Sequence, residues 1–115
     1  MTIKRLHVGP RMSEAVVHNG TVYLAGQVAD DASQDTAGQT REILAMIDRL
    51  LAECGSDKTN ILSAQIYLAD IADFAAMNSV WDAWVPVGCT PARATVEAKL
   101  AAPQYRVELK VVAAA

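Results

Sequence analysis

The stretch Pro91-Ala92-Arg93-Ala94-Thr95-Val96-Glu97 and the later run Arg106-Val107-Glu108-Leu109 decide how the C-terminal part of the chain folds. In both runs apolar and polar residues alternate, which is typical of a β-strand with one buried face. Pro91 cannot donate a hydrogen bond to a sheet, so it fits the start of the first strand better than its middle. The alternation places Arg93, Thr95 and Glu108 on the polar sides of their strands.

A break at residues 101–104 separates these two predicted strands, and their pairing decides how close Arg93 and Glu108 can come. In a plain hairpin about this break, Arg93 would pair near Val112. Glu108 would then lie about four residues along the strand, at about 3.3 Å for each residue. At that separation the two side chains cannot both touch one small group. Either the strands are not hairpin neighbours, or water and substrate span the gap.

Shorter β-prone runs predict four more strands, at Ile3–Val8, Ala15–His18, Val22–Leu24 and Ile61–Leu68. Asn19-Gly20 joins the second strand to the third, and it supplies the positive φ angles of a type I′ hairpin turn. Ala25-Gly26-Gln27-Val28 ends the third strand, and the missing side chain of Gly26 would permit a close approach to the backbone there. A strand bulge would account for this glycine equally well.

Two amphipathic helices are predicted between the strands. The first runs from Asp35 or Thr36 to Cys54, and Gly55 suits the left-handed residue that ends such a helix. The second follows a capping aspartate, Asp70 or Asp73. One face of this helix is rich in large apolar side chains, which are Phe74, Met77, Trp81 and Trp84.

The order βββαβαββ predicts an α+β fold, with a mixed six-stranded sheet and both helices on one face. The helices would cover the apolar sides of the last two strands. We therefore expect Arg93, Thr95 and Glu108 on the opposite face of the sheet, where they could share a site.

Length and composition predict one domain that spans residues 1–115. The chain is 52% hydrophobic and 20% charged, which is slightly apolar for a monomer and favours an oligomer interface. Its net charge of −3 and the lack of a basic run argue against nucleic-acid binding. No apolar run approaches the ~20 residues of a membrane helix, and no signal peptide is recognisable.

Cys54 and Cys89 are the only cysteines, and we expect them to be reduced thiols in a cytoplasmic protein. The chain has no CxxC, no HxxxH and no cluster of carboxylates, so we expect no metal. It also lacks a glycine-rich phosphate loop, and we expect no cofactor.

Pro91-Ala92-Arg93 together with the strand Val107-Glu108-Leu109 resembles the signature of the RidA/YjgF family, and the resemblance extends over nearly the whole chain. The resemblance implies a chorismate-mutase-like fold and a homotrimer with ligand clefts between subunits. It also implies hydrolysis of reactive 2-enamine and 2-imine acids to 2-oxo acids and ammonia. In that family the arginine holds the substrate carboxylate and the glutamate handles the water, which assigns those roles to Arg93 and Glu108.

Further site residues follow from the same resemblance. Asn78 matches an asparagine of the second helix, and Gly26 matches a backbone contact to the ligand. Two positions depart from the family pattern: Met12, followed by Ser13, stands where a tyrosine is usual, and Thr95 stands where a cysteine is usual. Both positions would line the cleft. We therefore expect the chain to belong to a divergent subgroup of the family, with its own range of substrates.

The same residues are also compatible with plainer roles. Arg93 could form a structural ion pair at an interface, Glu108 could be an ordinary charge on the sheet, and Asn78 could be a surface residue. A protein that binds small carboxylates without catalysis would keep Arg93 and tolerate the loss of Glu108. A ribonuclease is less favoured, because the chain is acidic and has no evident catalytic pair of histidines.

Overall fold

The computed structural model describes residues 2–115, and its elements follow the predicted order βββαβαββ. The bounds of the strands and helices are β1 (Lys4–Val8), β2 (Ser13–His18), β3 (Thr21–Leu24), α1 (Thr36–Glu53), β4 (Ile61–Leu68), α2 (Phe74–Trp84), β5 (Ala92–Glu97) and β6 (Val107–Ala114). Single 3-10 turns precede β4 and α2, at Lys58–Asn60 and Ile71–Asp73.

The strands form one six-stranded sheet in the order β1-β2-β3-β6-β4-β5. Every neighbouring pair is antiparallel except β4 and β5, which are parallel. A parallel pair needs a crossover connection, and α2 supplies it between β4 and β5. β4 therefore lies between β5 and β6, so the last two strands are not hairpin neighbours.

Both helices pack on one face of the sheet, as predicted. The helices contribute fully buried residues such as Ile43, Ile47 and Met77 to a core that also contains Ile66 and Leu109 of the sheet. The other face is not covered by a helix, and we call it the open face. Its residues include Tyr23 of β3 and Val96 of β5, which are 46% and 49% exposed.

The ends of α1 follow the sequence signals closely, whereas neither Asp70 nor Asp73 caps α2 with its side chain, contrary to the prediction. The Asp35 side chain accepts a hydrogen bond from Gly38 N at 2.9 Å, and Gly55 just beyond α1 has a φ of 74°. The two aspartates before α2 have different hydrogen-bond partners. Asp70 caps the 3-10 turn through Ala72 N, whereas the Asp73 carboxylate accepts from the Thr36 hydroxyl at 2.7 Å.

The Asn19-Gly20 hairpin is confirmed, with φ angles of 55° and 78° at the two turn residues. Both values are positive, as a type I′ turn requires.

The expectation that Arg93, Thr95 and Glu108 share one face of the sheet is wrong. In the β4–β5 register, Arg93 lies beside Ala64 and Thr95 beside Ile66. Both β4 residues are buried under the helices, at 1% and 0% exposure. Arg93 and Thr95 therefore face the helices.

Glu108 lies on the open face, because its partner in β4 is Tyr67, which has the opposite parity to Ala64 and Ile66. The reason for the error is that β5 inverts the usual pattern. Its apolar residues Ala92, Ala94 and Val96 are exposed, while its polar residues lie on the helix side at the sheet edge. Alternation shows which residues share a face, but it does not show which face is covered.

Candidate functional site

Arg93 lies against α2, where an amide oxygen and two aromatic rings surround its guanidinium. Its Nη1 donates to Asn78 Oδ1 at 2.8 Å. Its Cζ lies 5.3 Å from the centre of the Trp81 ring and 5.8 Å from that of Phe74, within the range of cation–π attraction. The aromatic face that the helical spacing predicted therefore has two functions, because Trp81 is part of the core and also orients the arginine.

Arg93 has no carboxylate partner in the part of the chain that the structure describes. Within residues 2–115, the one ion pair closer than 4.0 Å joins His7 Nε2 to Glu53 Oε2, at 2.6 Å. A guanidinium has five N–H donors, and Asn78 takes one of them. An ion pair within the chain does not account for Arg93, and its remaining donors can bind an anion.

Thr95 adds a second donor on the same side of β5. Its Oγ1 is buried, and it makes no hydrogen bond within residues 2–115. A buried hydroxyl without a partner costs about 1–3 kcal/mol, so such groups are uncommon unless a water or ligand satisfies them. We call Arg93, Asn78, Thr95, Trp81 and Phe74 the arginine site.

Glu108 belongs to a separate pocket on the open face. Gly26, Tyr67, Glu108, Lys110 and the segment 98–101 line a cavity of about 400 Å³. We call this cavity the glutamate site.

Gly26 fits the glutamate site because of the space it leaves. A Cβ at this position would overlap Glu108 Oε2 and lie 3.1 Å from its Cδ. The next residue fixes the arrangement, since Gln27 N donates to Leu109 O at 2.8 Å and Leu109 N donates to Gln27 O at 3.1 Å. The absent side chain of Gly26 therefore leaves room for the Glu108 carboxylate, and a strand bulge is not needed to account for this glycine.

Tyr67 and Lys110 are pocket residues that the sequence did not reveal. Tyr67 is the direct β4 partner of Glu108, and its hydroxyl donates to Gln65 Oε1 at 2.9 Å. Lys110 follows Glu108 by one strand period on the same face. The alternation in β4 and β6 contained this information, but the neighbours could be identified only once the strand order was known.

The chain brings some of the predicted site residues together and separates others. Asn78 contacts Arg93. Met12 is 59% exposed in the turn before β2, and Ser13 begins that strand. Three strands separate β2 from β5, which gives four spacings of about 4.8 Å each. Neither Met12 nor Ser13 can reach the arginine site of its own chain.

Arg93 and Glu108 are likewise apart within one chain. They lie two strand spacings, or about 10 Å, apart across the sheet, their β4 partners Ala64 and Tyr67 are three residues apart along the strand, and they lie on opposite faces. A small ligand held by Arg93 cannot touch Glu108 of the same chain. The chain thus presents a half-site with guanidinium donors and a half-site with a carboxylate, which point in opposite directions.

Residues 2–115 contain no group of three or more His, Cys, Asp or Glu side chains that could hold a metal ion. Neither helix in this range is long and apolar enough to cross a membrane.

Comparison with known proteins gives matches over the full length of the chain. The family model described as Endoribonuclease L-PSP matches residues 2–115. A RutC family protein of Haemophilus influenzae is 50% identical over 114 residues, with 98% of each chain covered. The RutC family protein YoaB of Escherichia coli is also 50% identical over 114 residues, with 99% of each chain covered. The crystal structure of a YjgF family member from Neisseria meningitidis is 54% identical, with a TM-score of 0.97 and coverage of 99% of this chain and 95% of that one.

Replacing Gly26 by alanine should displace the Glu108 carboxylate without unfolding the protein. Gly26 does not have a positive φ, so the added methyl group acts only through its contact with a flexible side chain. Gly55→Ala is the matched control. An added methyl group there would contact nothing, but the φ of 74° is strained for alanine, so the substitution should cost about 1–2 kcal/mol of stability. Crystal structures and thermal melts of both variants test this. A Gly26→Ala structure with Glu108 unmoved would contradict it.

Proposed function

This chain belongs to the RidA/YjgF family, together with the RutC and YjgF proteins that match it, and on that basis we propose that it hydrolyses reactive 2-enamine and 2-imine carboxylic acids to 2-oxo acids and ammonia. The family and its chorismate-mutase-like fold are those that the sequence predicted. The observation that carries the proposal is the guanidinium of Arg93, which has no carboxylate partner within residues 2–115 and is held by Asn78 and two aromatic rings.

In this proposal Arg93 binds the substrate carboxylate. A guanidinium offers two parallel N–H groups that match the two oxygens of a carboxylate, and a lysine cannot reproduce this geometry. Asn78 accepts a hydrogen bond from one N–H of Arg93, and the rings of Trp81 and Phe74 contact the guanidinium. The guanidinium is therefore oriented before the ligand binds. The unpaired Thr95 hydroxyl is a further donor to the ligand.

Glu108 would supply the water chemistry. A water molecule held by the carboxylate adds to the electrophilic imine carbon, and its proton passes to Glu108. The proton then moves to the nitrogen, which gives a carbinolamine. Glu108 next takes the proton of the new hydroxyl group and the nitrogen receives it as the C–N bond breaks, so ammonia leaves and the C=O bond of the 2-oxo acid forms. No electrons are gained or lost, so the reaction needs no redox cofactor. Positioning of the water relative to the bound imine supplies much of the rate increase.

The two half-sites can act on one substrate only in an assembly. We propose a homotrimer with a cleft at each interface, in which Arg93 of one subunit faces Glu108 of the next. The open face supports this assembly, because Tyr23, Val96, Ala92 and Ala94 expose apolar surface there. Met12 and Ser13, which lie far from the arginine site of their own chain, would reach such a cleft from a neighbouring subunit.

A non-catalytic binder of small carboxylates is the second candidate. The arginine site favours it, because Arg93, Asn78 and Thr95 come from one chain and suffice to hold a carboxylate. The name endoribonuclease in the family model suggests a third candidate function, the cleavage of RNA. Against it, His7 pairs with Glu53 of α1, whereas His18 lies on the open face, so these histidines do not form a catalytic pair within one chain.

Glu108→Gln separates the enzyme from the binder. The variant keeps the size and hydrogen-bonding reach of the side chain but removes the base. We expect turnover to fall by about a hundredfold or more, the usual scale of a positioned general base, with pyruvate affinity nearly intact. Ammonia release from enzymatically generated 2-iminopropionate and calorimetry with pyruvate measure the two quantities. Equal ammonia release by both proteins above background would show that Glu108 is not the base.

Arg93→Lys tests the carboxylate clamp. Loss of a charge-assisted contact costs on the order of 1.5–3 kcal/mol, or roughly ten- to a hundredfold in kcat/KM. We expect lysine to be nearly as poor as alanine, since the fork is needed and the charge alone is insufficient. If Arg93→Lys kept most of the activity while Arg93→Ala lost it, Arg93 would act as a diffuse positive charge.

Mixing two inactive variants tests the shared cleft. When Arg93→Ala and Glu108→Gln subunits exchange at random in a trimer, about one cleft in four combines a native arginine with a native glutamate. We therefore expect the mixture to regain about a quarter of wild-type activity after denaturation and joint refolding. Each variant refolded alone is the control. Sites built within one chain would regain nothing, and sedimentation of a clean monomer would remove the proposed cleft altogether.

A further inference from the structure

Gln39 is a fully buried polar residue in the first turn of α1, and its side chain binds only backbone groups outside the helix. It has 0% exposure. Its Nε2 donates to Ala32 O at 3.2 Å, Gln34 O at 3.0 Å and Gln104 O at 3.1 Å, and its Oε1 accepts from Arg106 N at 2.9 Å. One amide thus joins two segments that are far apart in sequence.

Both segments lead to the glutamate site. The chain runs from Gly26 into the segment that contains Ala32 and Gln34, and it runs from Arg106 directly into the strand of Glu108. The hydrogen bonds of Gln39 therefore join residues 32–34 to residues 104–106, beyond the point where Gln27 and Leu109 already pair through their backbones.

The segment 98–101 forms a wall with a cavity on each side. On one side lies the cavity of about 400 Å³ with Gly26 and Glu108. On the other side lies a cavity of about 600 Å³ that Ala69, Glu97, Pro103 and Tyr105 also line. Only Ala98 and Leu100 of this wall are half-buried, so packing holds it weakly and the hydrogen bonds at its ends help to determine its position.

The wall is attached at two points within the part of the chain described. Ala98 N donates to Leu68 O at 2.9 Å, which continues the ladder of β5. At the far end, Arg106 N binds Gln39, and Arg106 O accepts from Ala69 N at 3.0 Å. Between these ends, the backbone bond from Tyr105 N to Ala102 O is internal to the loop. Gln39 is the one side chain in this attachment.

We propose that Gln39 is a positioning residue that sets how large a substrate side chain the glutamate site accepts. The inference rests on the proposed imine hydrolysis and concerns 2-imino acids that differ in side-chain size. Glu108 itself is held by β4 and by the backbone of Gln27, so it stays in place when Gln39 changes. What moves is the wall, and the wall meets the part of the substrate that differs from one imino acid to the next.

Gln39→Met is the direct test, because methionine has similar length and volume but no amide. We expect kcat on 2-iminopropionate to stay within about threefold of wild type. The ratio of kcat/KM between 2-iminopropionate and the imine derived from leucine should change by about tenfold or more, the scale on which a pocket discriminates between side chains. Gln39→Asn, which keeps the amide but cannot reach the loop, replaces the methionine variant if the latter does not fold.

Thr40→Val is the matched control. Thr40 is the next residue of α1, it is also 0% exposed, and its hydroxyl donates to Thr36 O at 2.7 Å inside the helix. This variant loses a buried hydrogen bond of the same helix without touching the loop, so its preference between the two imines should equal that of wild type. Thermal melts establish that each variant is folded at the assay temperature.

The outcomes separate this inference from the proposed function. An unchanged preference in folded Gln39 variants, or an equal change in Thr40→Val, would overturn the role of Gln39. If wild type hydrolyses no imine, the proposed function fails, and calorimetry with pyruvate and 4-methyl-2-oxopentanoate then tests Gln39 through the ratio of the two affinities. If wild type binds neither acid, both proposals are wrong.

Discussion

The parallel pairing of β4 with β5 is the constraint on which the arrangement of both half-sites depends. Parallel neighbours need a crossover, and the crossover helix packs on the face that it crosses. α2 therefore lies over the helix side of β5, and this brings Asn78, Trp81 and Phe74 to Arg93. The same pairing places β4 between β5 and β6, which leaves Glu108 on the opposite face. The pairing of β4 with β5 therefore both forms the arginine site and separates it from the Glu108 carboxylate.

Most of the fold could be predicted because its signals are local. The Asn19-Gly20 turn, the Asp35 cap and Gly55 each depend on a few consecutive residues, and the structure confirms all three. The face occupied by Arg93 could not be predicted in the same way. It depends on strand order, which is set by contacts between residues far apart in sequence, and on an edge strand whose exposed side is the apolar one. Tyr67, Lys110 and Gln39 escaped notice for the same reason, since their partners are remote along the chain.

The inverted pattern of β5 is informative because it would be costly in a monomer. Exposed alanines and Val96 at 49% exposure gain nothing from water, whereas the helix side of the strand carries an arginine and an unpaired hydroxyl. The proposed assembly accounts for both features of this strand. A second subunit would cover its apolar face, and a subunit at the cleft would bring a carboxylate site to the unused donors. In the proposed assembly, the sequence pattern that misled the assignment of faces is the pattern expected of an interface strand.

On the proposed function, Thr95 departs from the family pattern but still offers a hydrogen-bond donor to the ligand. A hydroxyl is a stronger hydrogen-bond donor than the thiol of the usual cysteine, and here it has no partner within residues 2–115. The cost of leaving it unpaired is recovered when an oxygen of a ligand accepts from it, in the same region where Arg93 presents its free N–H groups. A bound carboxylate satisfies both donors at once, while an uncharged ligand of the same size leaves the guanidinium unpaired. On the proposed function, threonine therefore strengthens the preference for an anionic ligand, and its β-branched methyl group reduces the room beside it. The departure then narrows the choice of substrate and leaves the reaction unchanged.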